Sequence, residues 1–389
     1  MPKRVELPHA RSPEPALRRP ARRTSAGVFA LLCAWSLPTR ADSVPRSVGI
    51  YATTRDNTPV PRTILTHPDV DGVLLRYTWD RAEPAEGTFD WAYLDQQIAA
   101  AAANGKKVAF NVRAGTVTPG WVYAGGAAAF SYLETGPYTP NACETQRIPV
   151  PWDPVFLAKY TALVAALGAR YAGNPTVSRV GIEGINVGTE ETALPRSKGS
   201  EPVRAVRTGR QCTSTDDVRE WTRLGYTRLK VENAWTQIAQ AYDRAFPKTP
   251  LVVQTFPGAA PPIDDAGSLI RGQEKDQKFS VDILHAGRER LGSRFVAQNN
   301  GLSGDWVWEE IARMAPDAST GYQMLWLVTN DETCRMNRRR TPCDPVTDLK
   351  AAIDNGIARH ADYLEIYTPD LLNPALRKVL DDAHRALQR

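Results

Sequence analysis

The chain has 389 residues, 42% hydrophobic and 23% charged, with a formal net charge of +5. That length holds one large domain or two ordinary ones. Residues 1–41 carry eight of the basic residues and two of the acids, which leaves 40 basic and 41 acidic residues in the rest. The body is therefore not basic, and its composition argues against a nucleic-acid partner.

Residues 1–41 read as an export leader. A basic, Pro-rich lead precedes an apolar run over 26–37, then Pro38 and the cleavage candidate Thr39-Arg40-Ala41. The run is too short to cross a bilayer as a helix. Cys33 lacks the small preceding residue of a lipid-attachment site, so no membrane anchor is expected. The mature body, residues 42–389, is expected to be secreted or periplasmic. It holds Cys143, Cys212, Cys334 and Cys343, which admit three pairings. Cys334 and Cys343 share one polar loop, which favours Cys334–Cys343 with Cys143–Cys212. No cysteine spacing suits zinc and histidine is scarce, so neither a metal nor another cofactor is expected.

Eight apolar runs follow in order, at 48–51, 73–77, 107–112, 177–185, 251–255, 295–298, 322–327 and 363–367. Most precede a helical pattern. Asp153-Pro154, Asp344-Pro345 and Asn373-Pro374 each place a capping side chain and a first-turn proline at a helix start. Eight strands alternating with helices predict a single-domain (β/α)8 TIM barrel. An open doubly wound sheet would call for a Gly-rich phosphate loop after an early strand, and the sequence has none. Long loops at 116–151, 187–216 and 329–345 fall after strands three, four and seven, at the end where barrel chemistry resides. They hold all four mature cysteines.

The stretch over 79–95 has the spacing Trp79, Glu83-Pro84, Gly87, Phe89-Asp90, Leu94-Asp95. It resembles the segment after the second strand of clan-A glycoside hydrolases, in particular the β-galactosidase-type family 42. Thr118-Pro119-Gly120-Trp121 is similar to that family's T-P-x-W turn. The resemblance implies a carbohydrate substrate and cleavage of a glycosidic bond in an oligo- or polysaccharide. It places Arg76 under the catalytic carboxylates and Tyr77, Trp79 and Trp121 around the sugar. In the clan, the proton donor is the Glu of an Asn-Glu pair ending strand four, and the nucleophile is a Glu ending strand seven. This chain departs from both: Val187 follows Asn186, and Gly321 to Trp326 contains no acid.

Glycoside hydrolysis uses two carboxyl groups, a proton donor and a nucleophile or base. Glu191, just past strand four, is the expected donor, ahead of its neighbour Glu190. Strand eight alternates so that Tyr363, Glu365 and Tyr367 point inward, which makes Glu365 the expected partner carboxylate. An ionised Glu inside a barrel needs a partner or water, so an ion pair with Arg76 or Arg113 is the structural alternative. Glu183 reads as a buried structural group and Glu83 as a loop and helix-entry residue. Asn111, Arg113, Asn186, Gln298, Asn299 and Gln323, with Gln254 and Asn300, supply donors and acceptors suited to sugar hydroxyls. Trp152 is a candidate stacking platform or a rim-packing residue. The sequence thus predicts an exported glycoside hydrolase; the alternative is a non-catalytic glycan-binding barrel that has lost its carboxylate pair.

Overall fold

The computed structural model of the protein describes residues 46–331, 333–337 and 342–389; the expected leader lies outside them. Eight parallel strands close into a barrel: β1 Gly49–Thr53, β2 Gly72–Thr78, β3 Lys107–Arg113, β4 Val177–Gly181, β5 Leu251–Gln254, β6 Phe295–Leu302, β7 Ser319–Met324 and β8 Tyr363–Tyr367. Each pairs with its sequence neighbours, and β8 pairs with β1, so no edge is left open. Helices follow the strands in turn: α1 Arg62–Leu65, α2 Ala92–Ala103, α3 Pro154–Tyr171, α4 Arg228–Ala245, α5 Lys278–Leu291, α6 Glu309–Met314, α7 Pro345–Ala358 and α8 Arg377–Leu387. The single-domain (β/α)8 barrel is the observed architecture.

Capping chemistry sets the helix starts. Asp153 accepts from the backbone N–H groups of Val155 and Phe156 at the start of α3, with Pro154 in the first turn. Asp344 accepts from Thr347 N–H at the start of α7. Both satisfy donors that have no partner inside the helix. Asn373-Pro374 opens a 3-10 turn, Pro374–Leu376, and α8 continues from it.

The strands alternate, one face inward and one toward the helices. Tyr51, Leu74, Ala109, Val252, Val296 and Tyr363 form the barrel floor. Ile50, Val73, Leu75, Val108, Phe110, Leu364 and Ile366 lie in the core shared with the helices. Burial on both faces explains why the strands read as continuous apolar runs. Each fully buried Leu, Ile or Phe contributes about 1.5–3 kcal/mol.

Three strand ends differ from expectation, and at β6 the strand runs on to Leu302, four residues past the predicted end at 298. β4 stops at Gly181 and not near 185, because Gly184 turns with φ +126° and its N–H bonds Asn186 Oδ1 at 2.7 Å. β7 runs from Ser319 to Met324, three residues earlier than predicted. Beyond it Leu325 N–H bonds Leu302 O, and Trp326 N–H turns to the Met336 sulfur.

The long loops form two small antiparallel ribbons, Ala129–Leu133 with Thr145–Pro149 and Pro202–Arg204 with Gln211–Thr213. Cys143–Cys212 ties the ribbon-bearing loops together with Cα atoms 5.6 Å apart. Cys334–Cys343 closes the loop after β7, Cα–Cα 5.0 Å. This is the expected pairing. No helix among the described residues is long and apolar enough to cross a membrane.

Candidate active site

Above the floor, the inward residues of the barrel are polar and stacked in two levels. Arg179 of β4 occupies the lower one. Its guanidinium carbon lies 3.9 Å from the Tyr51 ring centroid and 3.7 Å from that of Tyr363. Gly321 of β7, in register with Tyr363, leaves room for that ring, since a Cβ there would lie 2.0 Å from it. Arg179 Nη2 donates to Glu365 Oε1 at 2.7 Å, and both side chains are 1% exposed. Gln298 Nε2 donates to the other oxygen at 2.9 Å. Gln298 also takes a hydrogen bond from the Tyr363 hydroxyl and touches Asn300 and Gln254. Expected as the partner carboxylate in the cleft, with an ion pair to Arg76 or Arg113 as the structural alternative, Glu365 is instead enclosed one level below the cleft and paired with Arg179.

The upper level opens at the carboxyl ends of the strands. Arg76 stands at its centre, in register with Asn111 of β3. Its Nε lies 2.5 Å from Glu190 Oε1, as an ion pair whose N–H is not aligned for a hydrogen bond. Its Nη2 donates to Gln323 Oε1 at 3.1 Å. Gln323 Nε2 in turn donates to the Tyr367 hydroxyl at 3.3 Å. Burial opposes the charge on Arg76, but Glu190, then Tyr367, Asp56 and Glu365, outweigh it and raise its pKa. Beside it Arg113 pairs with Asp56 of the loop after β1.

Glu190 and Glu191 are presented by a loop that Asn186 clamps. Asn186 Nδ2 donates to the carbonyls of Glu190 and Glu191 at 3.1 and 3.2 Å, and Thr192 N–H bonds Gln254 O. Asn186 is buried and positions the acids. Glu191 is half-buried; burial, reinforced by the Glu190 charge, raises its pKa above the ordinary carboxylate value. Glu183, inward on the continuation of β4, is 2% exposed and makes no hydrogen bond among the described residues. Burial, then the charge of Glu190, pushes it well above the usual carboxylate range. The Asn111 amide nitrogen is likewise buried without a partner among the described residues.

Several expected binding residues lie elsewhere. Tyr77 alternates with Arg76 and so faces the helices; its hydroxyl donates to the Arg81 and Asp90 carbonyls. Trp79 begins the one-turn helix Trp79–Ala82 and is wholly buried. It packs edge-on against Trp121 and Tyr160 and donates to Glu83 Oε2 at 2.8 Å. Trp121 Nε1 donates to Glu83 O at 3.0 Å, so this aromatic group closes the turn between strand and helix. Trp152 sits against Trp221 and Tyr226 and is a packing residue. Asn299 alternates outward and bonds Thr255 O and Gly301 N–H, fixing loop backbone.

The aromatic residues that do border the mouth are Tyr138, Trp326 and Tyr367. Trp326 lies 6.4 Å from Tyr367 and 6.5 Å from Tyr138, ring centre to ring centre. Tyr367 was legible from the alternation of β8. Trp326 follows the end of β7 by two residues, and only its place in the fold reveals it.

A glycoside hydrolase family 42 model, described as beta-galactosidase, matches residues 66–189. The match spans β2 to the Asn186 clamp, and no curated protein matches the chain. Together with the closed parallel barrel, the match fits a clan-A glycoside hydrolase-like (β/α)8 domain.

Proposed function

We propose that this protein is an exported glycoside hydrolase in which Glu191 donates the proton and Glu190, held against Arg76, is the partner carboxyl group. The observation that carries this reading is the pair of adjacent acids with opposed surroundings at the open end of the barrel. Glu190 is held against Arg76, whereas burial raises the pKa of Glu191. Two carboxyl groups whose environments differ in this way divide acid from base. In the proposed reaction, Glu191 protonates the glycosidic oxygen as the bond to the anomeric carbon breaks. Glu190 acts on the opposite face, as nucleophile or as base toward water. Glu365 is assigned a positioning role, because its two oxygens are taken by Arg179 and Gln298.

The non-catalytic alternative draws on one observation: Val187 stands where the clan's donor would follow Asn186, and β7 carries no acid. Hydrolysis of a panel of neutral and acidic polysaccharides decides between them, with Glu191→Gln and Glu190→Gln alongside. Both variants should stay folded and lose about 10²–10⁴-fold in rate. An activated aryl glycoside should restore Glu191→Gln, since a good leaving group needs no proton. A raised Glu191 pKa keeps the donor protonated above the ordinary carboxylate range, so activity should fall as pH rises through that pKa. Glu191→Gln should lack this alkaline limb. Full activity in both variants would remove the assignment, and silence across the panel with glycan binding retained would favour the binding barrel.

A further inference from the structure

The inward positions of β4 and its continuation climb the barrel in steps of two: Arg179, Gly181, Glu183. Arg179 is spent on Glu365, and Gly181 gives its space to the Asn111 amide. Glu183 stands above them. It is 2% exposed, and neither carboxyl oxygen has a hydrogen-bond partner among the described residues. The donors and the cation that face it are engaged elsewhere. Asn186 spends its amide N–H groups on the Glu190 and Glu191 carbonyls. Arg113 pairs with Asp56. Behind the strand, the Tyr160 and Tyr242 hydroxyls bond each other at 3.0 Å, and Tyr160 donates to Val112 O. The other titratable groups that face Glu183 are two acids, Glu190 and Glu191.

A carboxylate enclosed with neither a donor nor a cation of its own is far costlier than the neutral acid. The neutral acid also gains what the ionised one lacks, an O–H that can donate. Both of its oxygens are sealed from solvent, so its partner is a protein group and not a bound sugar. Of the two acids that face it, Glu190 is buried as Glu183 is and fixed against Arg76, whereas Glu191 is half-buried. A carboxyl group has room for several donors, and Arg76 Nε leaves Glu190 without an aligned hydrogen bond from that side.

We propose that Glu183 is a positioning residue of the reaction, a neutral carboxylic acid whose O–H donates to Glu190 from inside the barrel and holds it against Arg76. Its part in catalysis rests on the glycoside hydrolase reading; its neutral state rests on its enclosure. Denaturant unfolding of the full chain across pH tests the neutral state with no substrate present. The folded chain keeps a proton that the unfolded chain gives up in the ordinary glutamate range. Stability should therefore fall as pH rises from that range to the raised value of Glu183, by about tenfold in the unfolding constant per pH unit. Glu183→Gln, neutral and of the same shape, should remove this slope. Its difference from the wild type isolates Glu183 from Glu191, Asp217 and Glu232, whose pKa values burial also raises. Glu190→Gln should shorten the pH window, because the Glu190 charge helps to retain the proton. An unaltered slope in the first variant would overturn the neutral acid, and an unaltered window in the second would overturn its contact with Glu190. Turnover tests the positioning. Glu183→Leu, which has no donor, should lower kcat by about 10–100-fold, the worth of a hydrogen bond to a charged group. It should also move the acid limb of the pH profile upward, and Glu183→Gln should recover most of both losses. A loss in Glu183→Gln as deep as in Glu191→Gln would make Glu183 itself an acid or base, against the proposal. A wild-type rate and profile in Glu183→Leu would equally exclude positioning. Absence of hydrolysis in the wild type, with the slope and its Glu190 dependence intact, would remove the hydrolase reading and leave the Glu183–Glu190 contact standing.

Discussion

Arg179 and Glu365 carry opposite charges inside a protein wall where neither reaches water. Taking two ions out of water costs several kcal/mol each, and the pair is retained only because geometry returns that cost. Here the return comes from the direct bond, from Gln298 on the second carboxylate oxygen, and from two tyrosine rings on the guanidinium faces. Removing the cation leaves the acid unpaired. Arg179→Met should therefore cost about 3–5 kcal/mol in denaturant unfolding, while the double variant Arg179→Met/Glu365→Met recovers part of it. A single-variant loss below about 1 kcal/mol would show that the pair does not organise the barrel interior. Tyr77, expected around the sugar, is turned outward by the same strand alternation that places Glu365 inward. The aromatic motif around Trp79 combined inward and outward residues, so its spacing alone could not separate sugar contacts from packing.

At the scale of elements, β4 and its following loop decide where the acids stand. Gly181 leaves room for the Asn111 amide, since a Cβ there would lie 2.2 Å from Asn111 Oδ1. Gly184 then turns the chain, and Asn186 clamps the loop that bears Glu190 and Glu191. An apolar run over 177–185 gave no sign of that early turn, because a bend made by one glycine and one side-chain bond leaves hydrophobicity unchanged. The first ribbon packs Phe130 and Ile148 into the core, whereas the Pro202–Arg204 and Gln211–Thr213 ribbon is largely exposed, so the Cys143–Cys212 bond across 69 residues of chain ties the second ribbon to the first. Cys143→Ser/Cys212→Ser should lower stability by about 2–4 kcal/mol and expose the 202–213 ribbon to limited proteolysis before the barrel unfolds. Unchanged cleavage would mean that hydrogen bonding alone holds the ribbon.

For the whole molecule, the two disulfides suit an oxidising compartment, and the proposed export makes a prediction of its own. Intact-mass analysis of protein recovered outside the cytoplasm should show the lead removed near Ala41 and no thiol available to alkylation. Recovery of the full-length reduced chain inside the cell would contradict export. The barrel itself was legible in advance: eight apolar runs separated by capped helices admit few other topologies, because parallel strands buried on both faces need helices to cover them. The disulfide pairing was legible too, from loop spacing. The sequence by itself determined the strand count, the capped starts of α3 and α7 and the face of each β8 residue. Only the tertiary structure decided that Glu365 belongs to Arg179, that Arg76 belongs to Glu190, and that Trp326 borders the mouth. Helix caps and strand alternation act within a few residues of chain and are written locally. Ion pairs such as Arg179–Glu365 and Arg76–Glu190 join residues more than a hundred positions apart, and closure of the barrel is what brings them within reach.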